Sequence, residues 1–147
     1  MADVTLADEA ATARLGAALA AQARAGDVIT LSGPLGVGKT ALARGLLAAL
    51  GHEGEVPSPS FAIVQPYEEL EPAVWHVDLY RIETPGELAE LGLDSLGHAL
   101  LLVEWPERAG VDEWPHALAL SLDFGDGDAR RLTVKLPPAW EGRWPPQ

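Results

Sequence analysis

The 147-residue chain contains no cysteine, which excludes a disulfide framework and thiolate metal sites. Lysine is nearly missing as well, with Lys39 and Lys135 the only two. Ten basic residues stand against 22 acidic ones, a formal net charge of −12. RNA and DNA are held mainly by Lys and Arg at their phosphates, so this balance argues against strong autonomous nucleic-acid binding. Any role on a nucleic acid is expected to run through a protein partner. No apolar run reaches 18 residues, and the first residues carry Asp3, Asp8, Glu9 and Arg14 instead of a basic-then-apolar leader. The expectation is a cytoplasmic protein without a membrane segment. His52, His76, His98 and His116 are scattered without metal-ligand spacing, and there is no internal repeat.

What is present fits one globular domain, with 48% hydrophobic and 22% charged residues. Gly33 to Thr40 read G-P-L-G-V-G-K-T, a full match to the phosphate-binding pattern G-x-x-x-x-G-K-[ST]. Its setting matters as much as the pattern. The apolar run Val28 to Leu31 precedes it, as in a parallel strand buried on both faces. Behind it, residues 41–50 place Leu42, Leu46, Leu47 and Leu50 on one helical face, ended by Gly51. Backbone amides of Leu35, Gly36, Val37, Gly38, Lys39 and Thr40 can curl around phosphates at a helix N-terminus. Lys39 would reach the β- and γ-phosphates, and the Thr40 hydroxyl would hold Mg²⁺. Residues 36–41 also satisfy the dinucleotide pattern G-x-G-x-x-[GA]. That reading needs a second central strand about 20 residues on, where Pro57 and Pro59 forbid one.

Further elements follow from periodicity and breakers. An Ala-rich helix is predicted over 8–25, capped by Asp8 and ended by Gly26. Residues 61–69 and 74–79 read as a strand pair turning near Glu71-Pro72, and 85–91 as a short helix opened by Pro85. Residues 99–103 form another continuous apolar strand. Residues 116–124 and 131–136 read as an antiparallel hairpin around Gly125-Asp126-Gly127-Asp128. The domain is expected to span 1–136, with 137–147 an irregular Pro- and Trp-containing tail.

Nucleotide hydrolysis also needs an acid at a strand end and a group that senses the γ-phosphate and its attacking water. Glu104 ends the run Ala99 to Val103, and Asp78 ends Val74 to Val77. Both would emerge at strand carboxyl ends, where ligands gather in open parallel sheets. Ser58 and Ser60, between Pro57 and Phe61, lie in a loop of a kind that could fold over a γ-phosphate.

With these segments in order, the chain resembles the TsaE family of P-loop ATPases of bacterial tRNA threonylcarbamoyladenosine synthesis. The resemblance covers about residues 5 to 124. It rests on G-P-L-G-V-G-K-T at Gly33, V-P-S-P-S-F at Val56, H-V-D-L-Y-R at His76 and L-V-E-W-P at Leu102. It implies ATP and Mg²⁺ as ligands, weak hydrolysis by the protein alone, and action with TsaD and TsaB. That pair transfers the threonylcarbamoyl group to adenosine 37 of tRNA, so contact with tRNA would be only indirect. It further implies Thr40 and Glu104 as Mg²⁺ ligands and Asp78 beside the γ-phosphate. Ser58-Pro59-Ser60 would be a switch-like loop, with Ser60 departing from the usual Thr. Trp105 matches a family Trp implicated in activity, and Glu9 and Thr12 match the start of a first helix near the nucleotide base.

The expected fold is α/β, a three-layer P-loop NTPase-like domain whose mixed sheet has a parallel centre and antiparallel strands at its edges. The expected function is an ATP-hydrolysing accessory protein of tRNA modification, with Lys39, Asp78 and Glu104 as its catalytic residues. A nucleotide-gated interaction module without obligatory hydrolysis and a small-metabolite kinase are the alternatives.

Overall fold

The structure, a computed structural model, describes residues 2–54, 56, 64–92, 98–109 and 113–144. Among these, seven strands form one sheet: β1 (Ala2–Leu6), β2 (Val28–Ser32), β3 (Val64–Tyr67), β4 (Ala73–Asp78), β5 (Ala99–Glu104), β6 (Leu118–Phe124) and β7 (Arg130–Lys135). The order is β1-β7-β6-β2-β5-β4-β3. Pairings β6–β2, β2–β5 and β5–β4 are parallel, whereas β3–β4, β6–β7 and β1–β7 are antiparallel. The parallel centre with antiparallel edges is therefore as the sequence implied. Strand β1 is an addition that five mixed residues, Ala-Asp-Val-Thr-Leu, did not announce.

Helices α1 (Glu9–Gln22) and α2 (Lys39–Ala49) cover one face of the sheet. Asp8 caps α1 by accepting the Ala11 N–H at 2.8 Å. The helix stops at Gln22, before the predicted Gly26, because Ala23 has already turned extended. Helix α2 starts at Lys39, two residues earlier than periodicity suggested, since Gly38 caps it from a left-handed conformation. The two helices touch through small residues. A methyl on Gly16 would overlap the Leu42 carbonyl, and one on Gly45 the Ala13 carbonyl. Beneath them Ile29, Leu31, Leu42, Leu46, Leu47, Leu100, Leu102, Leu118 and Leu120 form the main core.

Alternation places Trp75, Val77, Leu101 and Val103 on the other face. There they pack with Leu79, Ile82 and Leu88 under α3 (Pro85–Glu90). Thr84 caps α3 in a capping box with Glu87. The 137–144 segment has no strand or α-helix, only a 3-10 turn at Pro138–Trp140. It is nevertheless packed. Trp140 is 1% exposed within the main core, and Arg143 pairs with Asp27 at 2.7 Å. Ser58, Ser60 and the predicted strand residues 61–63 lie outside the described residues.

Candidate functional site

The loop between β2 and α2 leaves the sheet at its centre. Gly33, Gly36 and Gly38 have φ of 141°, 77° and 118°, which side chains rarely tolerate. Gly33 faces a second restriction, because a methyl there would overlap the Leu122 carbonyl of β6. Val37, 1% exposed, anchors the loop in the core. Its carbonyl accepts the Arg130 Nε–H at 2.9 Å, tying the loop to the start of β7.

Lys39 opens α2 with its side chain folded inward. The ammonium donates to the Gly33 carbonyl at 2.6 Å and lies 3.7 Å from the centroid of the Trp105 ring. Burial pushes its pKa below the usual 10.5, opposed by the charges of Glu104, Asp78 and Glu107. An ammonium in this setting is short of solvation and suited to a new anionic partner.

Asp78 and Glu104 are register partners at the ends of the parallel strands β4 and β5. Both are 3% exposed, on the α1/α2 side of the sheet. The Glu104 backbone is held from two sides. Its carbonyl accepts the Leu79 N–H at 3.0 Å, and the following Trp105 N–H donates to the Leu31 carbonyl at 3.2 Å. The Glu104 Oε2 lies 2.6 Å from His76 Nε2, while Asp78 Oδ1 accepts the Tyr80 N–H at 2.9 Å. Trp105 adopts φ 59°, unusual for a bulky residue. Its ring contacts both Lys39 and Tyr80, the latter with a centroid separation of 4.8 Å.

These groups converge on one cavity of about 610 Å³, within the range of small-molecule sites. Glu9, Thr12, Leu35, Gly36, Val37, Gly38, Lys39, Thr40, Asp78 and Glu104 all line it. Thr12 reaches it because α1 crosses α2 closely; its methyl lies 3.8 Å from where a Cβ on Gly38 would stand. The lining also includes Asp8, Arg44, Trp105, Asp128 and Arg130. Apart from Trp105, sequence reasoning gave these no site role. Arg130 had a legible signal, since it shares the phase of the buried Leu132 and Val134 at a strand end. No such periodicity marks Arg44 or Asp128.

The donor chemistry suits Mg²⁺. Thr40, Asp78 and Glu104 offer oxygens, and no group of three or more His, Cys, Asp or Glu exists among the described residues to make a protein-only cage. Mg²⁺ characteristically takes one or two carboxylates together with substrate phosphates and water.

Fold and site together define an α/β domain with a glycine-rich strand–loop–helix element and two buried acids at neighbouring strand ends. The family described as "Threonylcarbamoyl adenosine biosynthesis protein TsaE" matches residues 6–132. Several relatives carry the name tRNA threonylcarbamoyladenosine biosynthesis protein TsaE. The one from Streptomyces coelicolor is 42% identical over 82% of this chain and 86% of its own. That from Haemophilus influenzae is 36% identical over 73% and 68%, and that from Rickettsia conorii 32% over 88% and 75%. Among solved structures, Bacillus subtilis YdiB superposes with a TM-score of 0.75 at 29% identity, covering 90% of this chain and 83% of its own. The chain belongs to the TsaE family. No helix among the described residues is long and apolar enough to cross a membrane.

Proposed function

We propose that this chain is a Mg²⁺-dependent ATPase that serves threonylcarbamoyl transfer to adenosine 37 of tRNA by acting on the TsaD–TsaB pair. The observation that carries the reading is the convergence of Lys39, Thr40, Asp78 and Glu104 on one cavity at the parallel strand ends. Backbone N–H groups of residues 35–40 bind the phosphates, and Lys39 exchanges the Gly33 carbonyl for phosphate oxygens. The Thr40 hydroxyl and Glu104 carboxylate hold Mg²⁺, which when bound neutralises charge developing on the transferred phosphoryl group. Asp78, fixed through the Tyr80 N–H, orients the attacking water. A formal charge of −12 favours a protein partner over direct contact with tRNA.

Calorimetric titration with ATP and Mg²⁺, paired with multiple-turnover tRNA modification by TsaD and TsaB, tests the reading. Lys39→Ala is expected to weaken ATP binding by about ten- to hundredfold, as loss of a charge-assisted contact implies. Glu104→Ala is expected to retain ATP but lose about a hundredfold or more in turnover. Wild-type ATP affinity in Lys39→Ala, or modification that continues undiminished without the protein, would overturn it. Modification sustained by a non-hydrolysable analogue would favour a nucleotide-gated module instead.

A further inference from the structure

We propose that His76 is a positioning residue for Glu104: its buried imidazole holds one carboxylate oxygen and leaves the other for the cavity. The inference rests on the reading of Glu104 as the site's metal-holding acid. His76 is fully buried, two residues before Asp78 on β4, and its Nε2 lies 2.6 Å from Glu104 Oε2. As a metal-holding carboxylate Glu104 can only accept, so the imidazole donates to it from Nε2. The other ring nitrogen, Nδ1, is buried without a hydrogen-bond partner among the described residues.

That arrangement excludes two other roles. His76 does not line the cavity, and its one engaged nitrogen is spent on Glu104, so it has no direct route for a proton to a bound substrate. Packing alone would favour a hydrocarbon side chain. The neighbours on the same face, Val74, Leu100 and Leu102, are apolar, and a leucine or phenylalanine would leave no polar nitrogen unmatched. The imidazole's specific return is the fixed glutamate. A glutamate has three rotatable side-chain bonds, and partners that orient metal-holding carboxylates typically matter 10–100-fold in metal affinity.

The test uses the full chain and Mn²⁺ as the probe, titrated by electron paramagnetic resonance with a non-hydrolysable ATP analogue present. His76→Phe removes the donor. His76→Gln places an amide near the Nε2 position, whereas His76→Asn reaches only about as far as Nδ1. Phe and Asn are expected to weaken Mn²⁺ binding by about tenfold or more, and Gln by less than about threefold. Analogue binding in EDTA should change less than about twofold in all three. Wild-type Mn²⁺ affinity in His76→Phe, with affinity lost in Glu104→Ala, would overturn the positioning role while leaving the proposed function standing. Unchanged affinity in Glu104→Ala would instead overturn the metal-holding reading and this proposal with it. Should His76→Phe not fold, the Asn–Gln contrast decides, and equal impairment of the two overturns the proposal.

Discussion

Lys39 illustrates how a single residue can serve the site at the expense of the fold. Its neighbourhood disfavours the ammonium relative to water, with burial outweighing three nearby carboxylates. Below its lowered folded-state pKa the lysine is charged in both folded and unfolded chains, and there the full desolvation penalty applies. Between the lowered value and 10.5 the unfolded chain binds more protons, and stability contributed at this position rises with pH. Lys39→Met is therefore expected to raise the nucleotide-free melting temperature by a few degrees at pH 7. That advantage should shrink as pH climbs through this window. Differential scanning calorimetry across pH 7 to 10.5 checks it, and a melting temperature lowered at pH 7 would refute it. At this scale the sequence was informative, because one of only two lysines fell at the loop's penultimate position. His76 was less legible. Its partner lies 28 positions away, and no local pattern encodes that pairing.

At the scale of elements, the site depends on how closely α1 and α2 approach. Gly16 lies against the Leu42 carbonyl and Gly45 against the Ala13 carbonyl, so each helix presents its bare backbone to the other. The same contact brings Thr12 beside Gly38, the left-handed cap at the start of α2. Gly45→Val would force the helices apart, with an expected loss of about 1–3 kcal/mol in urea unfolding. ATP affinity should fall along with stability, because Thr12 and Lys39 move on different helices. Unchanged unfolding in Gly45→Val would show that the interface yields freely. Helix existence was legible from Leu spacing and the Asp8 cap, yet the glycine contact was not. A glycine within a helical run reads locally as a weakness, and only the facing backbone reveals its use. The edge strand β1 escaped for a related reason: its pairing with β7 joins chain segments more than 120 residues apart.

For the molecule as a whole, the segment expected to trail behind the domain closes it. The Arg143 guanidinium meets both Asp27 oxygens, at 2.7 and 3.0 Å, and donates to the Gln22 carbonyl at 2.7 Å. It also lies 3.9 Å from the centroid of buried Trp140. Arg143→Ala would leave Asp27 half-buried without its cation, an expected cost of about 3 kcal/mol. Chemical denaturation measures it, and a loss below about 0.5 kcal/mol would place this pair with weak surface contacts. Proline and tryptophan content at 137–147 gave no periodicity, and Asp27 is 116 positions from Arg143, so packing here had no local signature. The double grip on the Glu104 backbone has a temporal consequence. The Trp105 amide is tied to Leu31 at the centre of the sheet, so local fraying cannot release it. Its hydrogen exchange should be as slow as that of Leu101, whose amide donates to the Asp27 carbonyl just before β2. Rapid exchange at Trp105 would contradict this. With matched protection, the acid would lose its place no more often than β5 itself opens.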